Sequence, residues 1–204
     1  MGEIDKCVSL EDIDHSLGCS GGNSPGITPS VIYGYHDDVD AWPDEPAPTE
    51  AGGVVTPSTL EEYGALKGDV VMKPGTRAFK FDFTEDAGNF SMVPDGEVDG
   101  MSVNYNLNIV KAKIVKKVLG LMNAAMGRKM FFIVTDENGN SYLMGNKRRG
   151  CSFVGGGDGA NTGTGSGDRN QTTLQFAFRS GMALIYEGDK EDILKLVPEV
   201  PPAG

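Results

Sequence analysis

Residues 101–109, MSVNYNLNI, put Met101, Val103, Tyr105, Leu107 and Ile109 on one side and Ser102, Asn104, Asn106 and Asn108 on the other. Strict alternation of this kind specifies a β-strand with one buried face. The opposite face is polar but uncharged, so it can meet water or a neighbouring sheet. Immediately afterwards the period changes. Val115, Val118, Leu119, Met122, Ala125 and Met126 recur at helical spacing, which predicts one amphipathic helix over about 113–127, ending near Gly127.

Strand patterns flank this pair. Residues 69–83, DVVMKPGTRAFKFDF, read as a hairpin with Pro74-Gly75 at the centre of a type II turn, and Phe79, Phe81 and Phe83 facing one way. Residues 129–145, KMFFIVTDENGNSYLMG, read as a second hairpin, with Asn138-Gly139 suited to a type I′ turn. TTLQFAFR (172–179) and MALIYEG (182–188) supply two more strands around Ser180-Gly181. Toward the N-terminus, SVIYGYHD (30–37) is a short strand, and STLEEYGAL (58–66) is a turn of helix with Ser58 as cap and Glu61 behind it. The expected fold is mainly β (α+β): an antiparallel β-sandwich or barrel with one flanking helix and long loops. Residues 1–66 are expected to be an acidic, Gly/Pro-rich extension with a short strand. Residues 67–190 are the expected core, and 191–204 an extended tail.

A chain of 204 residues can hold one domain with extensions. The net charge of −11 is unevenly spread. Met1–Glu62 carries thirteen acidic residues and one Lys, whereas Lys111–Arg149 carries nine Lys and Arg against Asp136 and Glu137. An acidic protein is a poor general binder of nucleic acid. The basic stretch can face DNA or the acidic part of another copy, and complementary charge of this kind guides assembly.

No apolar run is long enough to span a membrane. The start, MGEIDKC, has neither the basic nor the apolar region of a signal peptide, and Lys6 stands where a myristoylation site needs Ser or Thr. Cys7, Cys19 and Cys151 are odd in number and form no CxxC, which points to free thiols in a reducing cytosol.

Candidate chemistry is sparse. The stretch 153–178, FVGGGDGANTGTGSGDRNQTTLQFAF, is Gly-rich beside a strand, as phosphate cradles often are. It lacks the Lys and Ser/Thr of a P-loop, and a strand rather than a helix follows. Gly155–Gly167 has seven glycines in thirteen residues and is expected to be a mobile arm that a neighbouring subunit orders. HDDVD brings His36, Asp37, Asp38 and Asp40 together without EF-hand spacing, and reads as a solvated acidic turn. Cys151 follows Lys147, Arg148 and Arg149, which can lower a thiol pKa, but a small buried residue at a strand start is the simpler reading. No catalytic residue, metal or cofactor is expected. The candidate contacts between subunits are Lys147, Arg148 and Arg149, together with Asn161, Thr162, Thr164 and Arg169.

From about Cys19 to Gly188 the chain resembles virion structural proteins of tailed phages from Bacteroidetes hosts, specifically tail-tube or neck-ring subunits. What carries the resemblance is the order of CSGGNSPGITPSVIYGY, an acidic Trp-Pro segment, GDVVMKPGTRAFKFDF, DGEVDGMSVNYNLNIV, MFFIVTDENGNSYLMGNKRRG, TGTGSGDRNQTTLQFAF and ALIYEG. It implies a β-sandwich with a flanking helix, present as six copies in a ring, with rings stacking through long loops. It further implies other virion proteins as partners, DNA passing through the lumen without specific binding, no membrane, and assembly in the host bacterial cytoplasm. The long acidic N-terminal region departs from simpler tube proteins and leaves a neck or head–tail connector ring open. A capsid-decorating or binding module is a further alternative, and a thiol or metal-dependent hydrolase around Cys151 or His36 another.

Overall fold

The computed structural model describes residues 8–13, 22–47, 49–51, 54–56, 58–155 and 159–198. Along the chain run β1 (Ser30–Tyr35), β2 (Val39–Ala41), β3 (Thr49–Ala51), β4 (Val54–Thr56), helix α1 (Leu60–Gly64), β5 (Ala65–Leu66), β6 (Val71–Met72), β7 (Phe79–Asp82), β8 (Gly88–Asp95) and β9 (Ser102–Ala112). Then come helix α2 (Lys116–Gly127), β10 (Met130–Thr135), β11 (Ser141–Met144), β12 (Ser152–Phe153), β13 (Ala160–Asn161), β14 (Gln171–Ser180) and β15 (Ile185–Tyr186). The protein is mainly β with packed helix, as the alternation implied. Among the described residues its sheets do not close into a barrel.

A six-stranded sheet has the order β5-β15-β11-β10-β1-β7, antiparallel except for β15 with β5. A five-stranded sheet has the order β12-β14-β9-β8, with β13 also on β14. The alternation read at 103–109 sets the core: Val103, Tyr105, Leu107 and Ile109 lie buried with Leu174, Phe176 and Phe178 of the adjacent β14. Met130, Phe132 and Val134 of the six-stranded sheet enter the same core. The intervening residues of β10, Phe131 and Ile133, enter a second core with Val70, Leu143, Leu184 and Ile193. Hence β10 is apolar on both faces, which is why MFFIV reads as a continuous run rather than an alternation.

Several local expectations are revised. Residues 69–83 do not form a hairpin. The turn itself is present, with Gly75 at φ 78° and the Thr76 N–H donating to the Lys73 carbonyl at 3.0 Å. Its two arms part company, β6 pairing with β2 and β7 with β1. β1 sets Val31 opposite Phe81 and Tyr33 opposite Phe79, cross-strand apolar pairs that the two residues of β6 cannot match. The hairpin of β10 and β11 does form, but not through a type I′ turn. Gly139 alone in that loop has positive φ, at 93°, and its N–H donates to the Asp136 carbonyl at 3.1 Å. This is a three-residue loop with Gly in the left-handed position. The strands on either side of Ser180-Gly181 belong to different sheets, so this turn carries the chain from one core wall to the other. The Tyr105 hydroxyl ties the crossing down, donating to the Met182 carbonyl at 2.8 Å and accepting from the Leu184 N–H at 3.1 Å.

Helix α1 begins one residue later than expected. Thr59, not Ser58, is the cap, and with Glu62 it makes a reciprocal capping box. The turn of helix read at 58–66 is therefore present as Leu60–Gly64. On α2 the packed residues are Val118 and Ala125, with Val115, Leu121 and Met122 partly buried, while Met126 is 61% exposed. The helix is therefore rotated slightly from the face that spacing suggested. The core also reaches beyond 67–190. β1, placed in the expected extension, lies inside the six-stranded sheet between β10 and β7. At the other end Ile193 is buried, and Val197 exchanges backbone hydrogen bonds with Gly75 and Thr76. Contacts distant in sequence decide both cases, so composition alone misplaced the boundaries.

Candidate interaction site

The basic turn 147–149 is shaped by its neighbour Asn146, whose Oδ1 accepts the N–H of Arg148 at 3.0 Å and of Arg149 at 2.9 Å. Asn146 Nδ2 donates to Glu45 Oε1 at 3.1 Å, and its carbonyl lies 2.8 Å from His36 Nε2. His36 in turn stacks on Trp42 with ring centroids 5.0 Å apart. The acidic Trp-Pro segment therefore props the turn from behind, and Lys147, Arg148 and Arg149 stay exposed.

Arg179 joins them from the end of β14. Its Nε donates to Asn104 Oδ1 at 3.0 Å and its Nη2 to Asp95 Oδ2 at 3.1 Å, while Asn104 Nδ2 also donates to that carboxylate at 2.9 Å. Two open clefts, of about 610 and 620 Å³, meet at Arg148, Arg149 and Arg179. One is floored by Ser102 and walled by Glu45, the other by Asn104, Asn106 and Lys129. The site is a cationic corner at one end of the polar sheet face. That face runs on through neutral side chains, with Asn108 set between Asn89 and Gln175, and Asn106 between Ser91 and Ala177. Sequence reasoning missed Arg179 and Asp95. The parity of QTTLQFAFRS was the available signal, because it puts Arg179 on the side opposite Phe176 and Phe178.

The candidate contacts of the Gly-rich loop lie away from this turn. Asn161 pairs with Gln171, the first residue of β14, and Thr162, Thr164 and Arg169 lie in the loop between these two, whereas Arg179 is near the strand's last residue. The separation along the strand is roughly 26 Å. Nor is the loop open over its whole length. β13 pairs with Thr172 and Gln171, Asn161 Oδ1 accepts the Gly163 N–H at 2.8 Å, and Asp168 Oδ2 accepts the N–H groups of Thr164 and Gly165 at 2.8 Å each. These two backbone donors hold the Asp168 carboxyl below its ordinary pKa. Side chains expected to await a partner are thus partly used within the loop. Residues 156–158 of the expected arm lie outside the described residues.

The remaining candidates resolve as packing or pairing. Asp37 and Asp38 approach Arg128 at 3.8 and 3.9 Å, and that guanidinium lies 3.7 Å over the Tyr35 ring. Among the described residues no cluster of His, Cys, Asp or Glu is placed to hold a metal ion. The Cys151 thiol is fully buried and donates to the Met144 carbonyl at 3.1 Å. Burial pushes its pKa well up, which suits a core residue and not a nucleophile. Cys7 and Cys19 lie outside the described residues.

Burial also raises the phenols of Tyr33, Tyr105 and Tyr186, and of Tyr142, which additionally donates to Asp136. These acids ionise more readily in the unfolded chain. Above its unfolded pKa each then binds fewer protons unfolded than folded, and stability declines as pH rises. Unfolding free energy should be flat in this respect below about pH 8 and should fall from about pH 9 for the thiol and about pH 10 for the phenols. Urea unfolding between pH 7 and 11 checks this. A stability that holds level to pH 11 would contradict the burial of these groups.

Among the described residues the chain is a mainly β, α+β protein with open sheet edges and a cationic corner. Comparison with known protein families, with curated proteins and with solved structures finds no match to this chain. No helix among the described residues is long and apolar enough to cross a membrane.

Proposed function

We propose that this chain is a self-assembling structural subunit of a phage tail tube, forming rings that stack into a DNA conduit within the virion. The observation that carries the proposal is the open edge of β8. This strand is eight residues long and, among the described residues, is paired only on its β9 side. Monomeric proteins blunt long edge strands, whereas an unblunted edge is a template for another chain. Contacts that join one surface to a different surface close into rings when the rotation permits. Pro94 and Asp95 confine the usable edge to Gly88–Val93, beside the neutral face of Asn104, Asn106 and Asn108. A net charge of −11 would let DNA pass without being held. The cationic corner supplies the charge that selects the neighbour.

A neck or connector ring would use the same edge contacts without continuous stacking. Solution mass and negative-stain microscopy test the proposal. The expected result is a ring of several 21.6 kDa chains, six by the resemblance, polymerising as concentration rises. A strictly monomeric species at high concentration and low salt would reject it.

A further inference from the structure

A second open edge has a different character. As a strand β7 pairs with β1 alone among the described residues; its outer edge is met at both ends, where the N–H of Ala78 just before it donates to the Ile193 carbonyl at 2.8 Å and Lys111 Nζ donates to the Asp82 carbonyl at 2.9 Å, and an apolar groove of about 950 Å³ runs beside it against α2. Tyr33, Phe79, Phe81, Leu121 and Ala124 line the α2 side, and Leu194 lies toward the other face. Phe79 is 43% exposed, a large area for an aromatic ring in a packed row. The rim is cationic: Arg77, whose guanidinium lies 4.8 Å over the Phe79 ring, with Lys80, Lys111 and Lys117. Against these stand Asp82 and Glu191, the latter paired with Lys80 at 3.4 Å.

One segment of the same chain has the complementary chemistry. Val8–Ile13, VSLEDID in its context through Asp14, shows Leu10 at 89% and Ile13 at 87% exposure, with Glu11 and Asp12 between them. Its start is tied to Ser58, through a parallel bridge at Val8 and the Ser9 N–H donating to the Ser58 carbonyl at 2.9 Å. Ser58 leads through α1 into β5, the edge strand opposite β7 in the six-stranded sheet. At ordinary strand spacing those two edges are about 24 Å apart. The acidic, apolar segment and the cationic, apolar groove therefore sit toward opposite margins of one sheet, the placement of a head-to-tail contact.

The geometry points to residues 8–13 of one copy adding as a strand to β7 of a second copy. Successive side chains of an added strand face opposite ways. Leu10 then faces Phe79, Phe81 and Leu121, Ile13 faces the Leu194 side, and Glu11 and Asp12 meet the rim cations. Backbone hydrogen bonds supply affinity and the flanking pockets supply register, as in other strand additions. This contact does not depend on the phage reading.

The test uses the full chain with Cys7→Ser and Cys19→Ser. Leu10→Cys in one preparation and Lys117→Cys in another are mixed and treated with a short bis-maleimide. The expected product is a covalent dimer, and the protein bearing both cysteines should give a ladder of longer species. Leu10→Asp with Ile13→Asp in full-length protein should displace the segment and, in the Lys117→Cys mixture with a cysteine at position 9 (Ser9→Cys), cut the dimer yield at least tenfold against the same mixture without the Asp changes. Only internally cross-linked monomer from the double-cysteine protein would overturn the inference, as would no cross-link in any sample or a yield indifferent to the Asp changes. Rings without this cross-link sink the arm alone. A ladder without closed rings upholds the arm and sinks the ring proposal.

Discussion

Phe132→Ala should lower the unfolding free energy by about 3–5 kcal/mol, the cost of removing a large buried aromatic and leaving a cavity. Phe132 is 1% exposed on β10, and its ring centroid lies 4.4 Å from that of Phe176 on the facing sheet. It also stacks with Tyr33 at 6.4 Å, so one ring joins both sheets to the aromatic row of β1 and β7. For a chain of this size that loss corresponds to a fall in Tm of roughly 6–20 °C. Phe79→Ala in the same row should cost less than half as much, because that ring is already partly in water. Thermal and urea unfolding, followed by near-ultraviolet circular dichroism, give both values. A loss below about 1 kcal/mol for Phe132→Ala would mean that its ring does not anchor the two sheets together.

Reversing Lys147, Arg148 and Arg149 to Glu together should convert the proposed assembly to monomer while leaving the subunit folded. All three side chains are exposed, so the fold should change by no more than about 1 kcal/mol. Three added carboxylates beside Asp44, Glu45 and Asp95 would turn a cationic corner into a strongly anionic one. Like charges brought together in a contact cost several kcal/mol. Salt at 1 M, where the screening length is about 3 Å, should weaken the native contact in the same direction. An oligomer unchanged by both treatments would remove the corner from the assembly surface. The structure also narrows the charge argument. Arg128 is already engaged by Asp37 and Asp38 within the subunit, so not all of the basic stretch is available to a neighbour.

Much of the local structure was legible in the residues. The alternation at 103–109 marked the buried wall of β9, and the helical spacing after Val115 marked α2. The turn at Pro74-Gly75 and the loop at Gly139 were visible because positive φ favours Gly. The candidate site was legible only in part. Lys147, Arg148 and Arg149 were found as a run, but Arg179 reaches them from thirty residues further on. Asn161, Thr162, Thr164 and Arg169 were read as contacts of the Gly-rich loop, and the structure sets them at the far end of β14 from the run.

The sequence by itself determined the strands β1, β7, β9, β10, β11 and β14, which face of β9 and β14 is apolar, and where the helix falls, because these follow from periods of two and 3.6 within a few residues; it did not mark β8, where Gly88 and Pro94 weaken the strand signal. Tertiary structure alone decided the pairing. It sent β7 to β1 instead of β6, placed β1 inside a sheet, brought Ile193 into the second core and rotated α2 so that Met126 faces out. Pairing is a competition among all available edges and apolar faces, and its outcome depends on contacts between residues far apart in the chain. The same competition left β7 and β8 as edges, the surfaces on which both proposed contacts are built.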